Sequence, residues 1–330
     1  MTEASDAVAP FAGACVLAVD VGGTSIKGAA VGYDGAVYGS LAVPTAARAG
    51  PSAVETQVEQ VTAALAAAAE RWTGRSALAV GVAVPGLIDS NAGIVRSSAN
   101  IGWTDVNIRS GIGRIIDAPL ALGHDARAAA LAEWKLGAAR DVDDFLFVGI
   151  GTGVGGAVVA GGALWTGHHG LAGEIGHIRA VDASDQCGCG EVGCLETIAS
   201  AAAIQRRYLD RGGRDGSTLT ASEVLRWASE GEDHIAVGVR DEAVTALASA
   251  LMIVQGAIDV GVVVLGGGLS LAGDSLLLPL SAEMERHSSY IAVPELRASA
   301  FGAESGFRGA AVMAWHMLGV ELSAVAVSHG

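Results

Sequence analysis

Basic residues are scarce in this chain of 330 residues, and its only lysines are Lys27 and Lys135. The formal net charge is -15, and no run of basic residues interrupts the acidic excess. An acidic chain repels the phosphate backbone of nucleic acids, so binding to DNA or RNA is not expected.

A secretory leader is also lacking, because Glu3 and Asp6 lie where a signal peptide needs positive charge. One uncharged stretch, residues 145–165, is long enough to span a membrane, but seven of its 21 residues are glycine. Two strands joined by a glycine turn explain this stretch better than a membrane helix. We therefore expect a cytoplasmic protein with no membrane partner.

The chain is too long for one ordinary core and suits two domains. Short apolar runs predict strands at residues 16–21, 29–31, 36–41, 77–84, 120–124, 145–150, 157–160 and 261–265. Helical spacing predicts helices at residues 52–72, 243–258 and 306–318. Each half opens with a strand, a glycine turn and a strand, which is a weak internal repeat.

Strands that alternate with helices predict an α/β class with mixed sheets. The boundary is expected near residues 117–121. The first domain would then cover residues 1–120, joined by a C-terminal helix within 306–330, and the second would cover residues 121–305.

Three glycine-rich turns follow predicted strands, at Gly22–Thr24, Gly151–Gly156 and Gly266–Gly268. Backbone N–H groups in such turns can approach phosphate closely, because no Cβ intervenes. A Walker A loop needs Gly-Lys, and neither Lys27 nor Lys135 follows a glycine, so a P-loop is excluded. The second turn misses the dinucleotide spacing and lies between two predicted strands. For any one turn alone, a plain tight turn is the alternative.

One histidine and three cysteines form a cluster with the spacing of a metal site. His177 is followed by Cys187, Cys189 and Cys194, and the glycines between the cysteines allow a tight knuckle. Three thiolates and one imidazole complete the tetrahedral set of a structural zinc site, which leaves no position for water. The alternatives are inert thiols or a disulfide, which the expected compartment disfavours and which leaves one cysteine over.

Four segments together carry a resemblance to a known family. Asp20–Lys27 and Gly149–Gly156 resemble two phosphate loops, Val264–Gly268 resembles an adenosine turn, and Cys187–Glu196 matches a cysteine signature. All four resemble motifs of the ROK family of repressors, open reading frames and kinases, and the matches run in order from residue 16 to about 310. The resemblance implies the actin-like, ribonuclease-H-like fold, with ATP held between two domains. It also implies a homodimer or a homotetramer.

The resemblance implies which residues bind nucleotide and metal. Asp20 would help to hold Mg²⁺ through water, which suits a hard cation that keeps several waters. The alternative for Asp20 is a turn-capping carboxylate. The remaining nucleotide contacts would be Gly22, Gly23, Thr24, Thr152 and Gly153 at the phosphates, and Gly267 and Gly268 at the adenosine.

The resemblance also assigns a sugar site and a catalytic base. Asp125 lies at a junction between strand and helix, where the family places the base that accepts a proton from the attacking sugar hydroxyl; its alternative is a helix N-cap. His124 departs from the family's asparagine and leaves the sugar preference open, because its donor and acceptor have a different reach. Trp103 is expected to be a packing residue. The other expected sugar contacts are Asn100, whose alternative is a turn residue, Glu174, His177 and Glu196.

Zinc is expected to preorganise the sugar-binding wall. Glu174 lies three residues before His177, and Glu196 lies two residues after Cys194. Clamping the knuckle would therefore fix both carboxylates, and zinc would supply the free energy that orders a glycine-rich loop.

The leading interpretation is an ATP-dependent hexose kinase that phosphorylates the 6-hydroxyl, most like a glucokinase. Kinases for N-acetylmannosamine, N-acetylglucosamine and fructose share these motifs. A sugar-responsive ROK repressor is the rival from another class, but the residues before Asp20 leave no room for its helix-turn-helix domain. A sugar-binding pseudokinase is disfavoured by Asp20, Asp125 and the three glycine turns.

Overall fold

The computed structural model describes residues 11–180, 184–214, 216 and 219–322. The chain divides into two compact units. Unit 1 contains the chain up to Arg140 and from Glu304 onward, and unit 2 contains Asp141–Ala303.

Unit 1 is built on a mixed five-stranded sheet and a small antiparallel sheet. Its strands are β1 (Cys15–Val21), β2 (Ser25–Gly32), β3 (Val37–Pro44), β4 (Val80–Val84), β5 (Leu87–Asp89), β6 (Ile94–Ser98), β7 (Trp103–Asn107) and β8 (Leu120–His124). The large sheet has the order β3-β2-β1-β4-β8, and the small one has the order β5-β6-β7. β1 to β3 pair antiparallel, whereas β4 pairs parallel with both β1 and β8.

Four described helices belong to unit 1. In the numbering of the whole chain they are α1 (Pro51–Thr73), α2 (Ile108–Gly113), α3 (Asp125–Lys135) and α9 (Ser305–Met317). Helix α1 begins with proline at its first position and ends at Gly74 in the left-handed conformation, which is the usual order of these two residues. Its buried residues recur at helical spacing and pack on the sheet.

Helix α9 packs against α3, β1 and β4 through alanines and through Phe307 and Trp315. The predicted C-terminal helix therefore lies in unit 1 as far as Met317, whereas residues 323–330 lie outside the described part of the chain. The division between the units follows α3 and does not precede β8. The physical reason is that β8 continues the parallel sheet and α3 is held by α9.

Unit 2 repeats the sheet topology of unit 1. Its strands are β9 (Phe145–Ile150), β10 (Val154–Ala160), β11 (Ala163–Trp165), β12 (Val262–Gly266) and β13 (Glu295–Ala298). They have the order β11-β10-β9-β12-β13, in which β9 to β11 pair antiparallel and the last two strands are added in parallel. The weak repeat in the sequence is thus a real repeat of topology.

The described helices of unit 2 cover one face of this sheet and supply most of its core. They are α4 (Glu196–Ala199), α5 (Ala201–Asp210), α6 (Ala221–Glu230), α7 (His234–Ile258) and α8 (Asp274–His287). The uncharged stretch 145–165 forms β9 and β10 joined by a glycine turn, as predicted, and also β11, which was not predicted. Among the described residues, no helix has both the length and the apolar character needed to cross a membrane.

Candidate active site

The structure brings the predicted site residues together in two groups, one in each unit. In unit 1 the group lies where β1, β4 and β8 end. β4 runs parallel to both neighbours, and Val84 at its end is paired with His124. Parallel strands end at one edge of a sheet, and ligands of α/β sheets bind beyond that edge. The glycine turn after β1 and the start of α3 therefore share this edge.

The turn Gly22–Thr24 is hydrogen-bonded to Thr45, the residue that follows β3, and lies beside Asn100. The Thr45 hydroxyl donates to the carbonyl of Gly22 at 2.6 Å. A Cβ built on Gly23 would lie 3.6 Å from the Cβ of Asn100, which is ordinary van der Waals contact. The structure thus places an expected phosphate turn against an expected sugar contact.

Asp20 is a partly buried carboxylate one residue before the end of β1. The pKa of Asp20 is raised to about 7, chiefly by burial and then by the negative charge of Asp125, while Lys27 acts in the opposite direction. Lys27 is paired with Asp20 across β1 and β2. Two carboxylates that repel each other in this way provide charge for a divalent cation to neutralise, and a site of few carboxylates completed by water suits Mg²⁺. The residues present therefore fit Mg²⁺.

His124 and Asp125 form the junction between β8 and α3. The backbone N–H of Ala126 donates to His124 Nδ1 at 3.2 Å and to Asp125 Oδ1 at 2.7 Å. His124 is buried and occupies the N-cap position, whereas Asp125 is the first helical residue and is partly exposed. The N-cap position, which was the alternative for Asp125, thus belongs to His124.

Trp103 lies close to this group in the sequence but is a core residue. Its side chain is buried, and its indole N–H donates to the carbonyl of Pro51 at 3.0 Å. The prediction that Trp103 is a packing residue is confirmed.

In unit 2 the second glycine turn lies against Glu196 and Gly267. Glu196 heads α4, and its Oε2 accepts a hydrogen bond from the N–H of Val154 at 3.4 Å. A Cβ on Gly153 would lie 2.7 Å from the same oxygen. Gly267 has φ +76, and a Cβ there would lie 2.5 Å from the carbonyl oxygen of Ile150. The expected phosphate turn and adenosine turn of unit 2 therefore meet at the end of β9.

The other predicted residues of unit 2 border this group. Thr152 is exposed in the glycine turn, and Gly268 opens a short 3₁₀ turn that ends at Ala272. Glu174 immediately precedes another 3₁₀ turn, Ile175–His177. Gly176 in that turn approaches β10 so closely that a Cβ would lie 2.0 Å from the carbonyl oxygen of Val154. Glu174 and His177 are thereby carried next to the glycine turn.

The four predicted zinc ligands form one cluster. The ligand atoms of His177, Cys187, Cys189 and Cys194 all lie within 4.8 Å of one another. His177 Nδ1 is 3.8 Å from Cys187 Sγ, and Cys189 Sγ is 3.6 Å from Cys194 Sγ. Zinc–sulfur bonds of about 2.3 Å in a tetrahedron put neighbouring sulfurs roughly 3.8 Å apart, so these residues fit zinc.

The pKa values of the three thiols are shifted in different directions, and one of the thiols contacts Glu196. Burial raises the pKa values of Cys187 and Cys194, whereas a hydrogen bond from the backbone N–H of Glu191 lowers that of Cys189. The Cys187 thiol donates to Glu196 Oε1 at 3.0 Å. Glu196 is therefore in contact with both the cysteine cluster and the glycine turn.

Sequence reasoning did not select Gly306, which contacts the unit 1 group. Gly306 is the second residue of α9, and a Cβ there would lie 2.3 Å from Asp20 Oδ2. Gly306 lies at the start of a predicted helix, where its sequence neighbours do not point to Asp20, so only the packing of α9 identifies it.

Comparisons with known proteins place this chain in a family. The family model described as "ROK family" matches residues 16–316. The glucokinase of Thermotoga maritima is 33% identical over 310 residues, which are 90% of this chain and 96% of that protein. The N-acetylmannosamine kinase of Escherichia coli O157:H7 is 32% identical over 303 residues, which are 90% and 97%.

Among solved structures, the ROK family glucokinase of Streptomyces griseus in complex with glucose and AMPPNP has a TM-score of 0.80. It is 27% identical, and the match covers 92% of this chain and 99% of that one. The prediction of an actin-like α/β fold with mixed sheets is confirmed. This chain belongs to the ROK family.

Proposed function

We propose that this protein is an ATP-dependent hexose kinase that phosphorylates the 6-hydroxyl of its sugar, most like a glucokinase. The observation that carries the proposal is the unit 1 group, in which Asp20, Asp125, a glycine turn and Asn100 share the end of one sheet. Glucokinases are among the relatives that match almost the whole chain, and this similarity supports the same activity.

Asp125 is the catalytic base in this proposal. Its carboxylate is partly exposed at the first position of α3, and one of its oxygens is fixed by the N–H of Ala126. A fixed carboxylate can accept the proton of a sugar hydroxyl as that hydroxyl attacks the γ-phosphate. Asn100, with a donor and an acceptor in its amide, would orient the other sugar hydroxyls.

The glycine turns bind the phosphates in this proposal. The turn at Gly22–Thr24 and the turn at Thr152–Gly153 offer backbone N–H groups that no Cβ shields. Asp20 would hold Mg²⁺ through water, and the metal when bound neutralises the charge of the phosphates. Gly267 and Gly268 would contact the adenosine.

The cysteine cluster is proposed to bind a structural zinc ion. Its four ligands complete the coordination shell, so the cluster would order the loop and take no part in the chemistry. Glu196 begins α4 two residues after the ligand Cys194, and Glu174 immediately precedes the turn that carries the ligand His177. Zinc would therefore fix two sugar-binding carboxylates. Metal analysis should find one zinc per chain, and its removal by a chelator should weaken sugar binding; unchanged sugar affinity would refute this role.

The test of function is a coupled assay of ADP release with a panel of hexoses, and with polyphosphate as a second donor. Glucose should give the highest kcat/KM among glucose, N-acetylmannosamine, N-acetylglucosamine and fructose, and ATP should be used. In the same assay Asp125→Asn should lose turnover, and Asp117→Asn is its matched control, because Asp117 is an exposed aspartate of unit 1. The absence of sugar-dependent ADP release from wild-type protein would refute the proposal.

N-acetylmannosamine is the second candidate substrate. The similarity to N-acetylmannosamine kinases favours it, and His124 stands where the family's asparagine contacts sugar. A kcat/KM at least about tenfold higher for N-acetylmannosamine than for glucose would select it, which corresponds to 1.4 kcal/mol of transition-state binding.

Light scattering in the same buffer would test the expected homodimer or homotetramer.

A further inference from the structure

Because Gly306 has no side chain, the carboxylate of Asp20 can occupy the space where a Cβ at position 306 would lie. A Cβ at position 306 would lie 2.3 Å from Asp20 Oδ2, 2.4 Å from Cγ and 2.9 Å from Oδ1. These are its three nearest heavy atoms, and all belong to one carboxyl group. Contacts this short do not occur between packed atoms, so a methyl group here requires Asp20 or α9 to move.

Close backbone packing limits the directions in which α9 can move. A Cβ on Gly309 would lie 1.7 Å from the carbonyl oxygen of Ala128 in α3, and one on Gly81 would lie 1.9 Å from that of Ala310. The helix backbone is thus packed directly on α3 on one side and on β4 on another. These contacts leave no room for α9 to shift toward α3 or β4.

A buried carboxylate also fixes the first turn of α9. Glu133 is fully buried, and its Oε1 accepts a hydrogen bond from the Ser305 hydroxyl at 2.9 Å. Its Oε2 accepts from the N–H of Ala138 at 2.9 Å. Breaking these bonds would remove hydrogen bonds from a buried carboxylate, which is costly. We therefore expect a side chain at position 306 to displace the Asp20 carboxylate from its position.

We propose that Gly306 is a positioning residue for phosphoryl transfer, because it reserves the place from which the Asp20 carboxylate reaches the Mg²⁺ of the nucleotide. This inference rests on the proposed function. Gly306 touches no substrate in this account and acts only through Asp20. The first turn of α9 contains Gly306 and is fixed by the hydrogen bond from Ser305 to Glu133, and it is therefore part of the metal site.

A double-mutant cycle separates this role from a general packing role. Gly306→Ala and Asp20→Ala are made singly and together, and thermal unfolding is followed in buffer without added Mg²⁺. The substitution at position 306 should lower Tm in the wild-type background and show only the ordinary effect of alanine in a helix in the Asp20→Ala background, where the three nearest atoms are gone. An equal loss of Tm in both backgrounds would overturn the proposal.

The kinetic arm measures Mg²⁺ dependence. Gly306→Ala should lower kcat by about 100-fold, the cost of a misplaced group near the chemistry, and raise the half-saturating Mg²⁺ concentration. Its sugar Kd should stay within about twofold, since the methyl group faces Asp20 and no sugar contact. Unchanged Mg²⁺ dependence would overturn the proposal.

Gly238→Ala is the matched control, because Gly238 lies in α7 with its nearest contact, Arg211 Nη1, at 3.8 Å. It should change neither Tm by more than the ordinary effect of alanine in a helix nor the Mg²⁺ dependence. If wild-type protein shows no sugar-dependent ATP turnover, the proposed function fails; the unfolding cycle still decides whether Gly306 makes room for Asp20.

Discussion

Replacing Asp20 by asparagine should stabilise unit 1 while it removes kinase activity. The pKa of Asp20 is raised on folding from an ordinary value of 3.8 to about 7, first by burial and then by Asp125. A raised carboxyl pKa favours folding below pH 3.8, and that stability is lost as pH rises toward 7. At 1.36 kcal/mol per pH unit, the difference costs up to about 4 kcal/mol above pH 7. Asparagine carries no charge at any pH and avoids this cost.

The assay is thermal unfolding at pH 4 and pH 8 in Mg²⁺-free buffer. No chelator is added, so that zinc would not be removed. Asp20→Asn should match wild type at pH 4 and exceed its Tm at pH 8, and hydrogen exchange in β1 should slow in parallel. Asp89→Asn is a control in which the effect should have the opposite sign. Hydrogen bonds from Ala92 and Arg96 lower the pKa of Asp89, so its replacement should not raise Tm at pH 8. No gain at pH 8, or the same gain at both pH values, would refute the reasoning.

Trp103→Phe should cost about 1 kcal/mol of unfolding free energy, because the hydrogen bond to Pro51 is lost, and should leave sugar binding unchanged; a large loss of sugar affinity would contradict its packing role. Cys194→Ser should lose zinc and melt at the same temperature as chelated wild type. A variant that keeps one zinc per chain would show that Cys194 is not a ligand. His124→Asn should fold normally, since asparagine can also cap α3, and should change the ratio of kcat/KM for glucose and N-acetylmannosamine. An unchanged ratio would exclude His124 from sugar selection.

The strands beside the glycine turns could be predicted because they are short apolar runs that end at glycine. The runs at residues 16–21 and 145–150 correspond to β1 and β9, and residues 261–265 correspond to β12 within one residue at each end. Helix α7 begins at His234, well before the predicted start at residue 243. Asp233 caps it by accepting from two backbone N–H groups, a signal that the apolar pattern alone does not contain.

The local composition of the cysteine knuckle predicted its cluster, since four ligand residues lie close together in the sequence. The contact of Asp20 with Gly306 could not be predicted, because it joins the first strand to the last described helix. Pairs so distant in sequence depend on how α9 packs against the sheet. Glu133 was missed for a similar reason, because a charged helical residue is usually exposed and its partner Ser305 lies far along the chain.

The central claim is that Asp125 removes a proton from the sugar, and Asp125→Asn tests it most directly. Turnover by wild type and variant is measured with the preferred hexose and ATP, and the sugar Kd is measured by calorimetry. Loss of a general base should lower kcat by about 10²- to 10⁴-fold while the sugar Kd changes little. A variant that retains wild-type kcat would contradict the assignment.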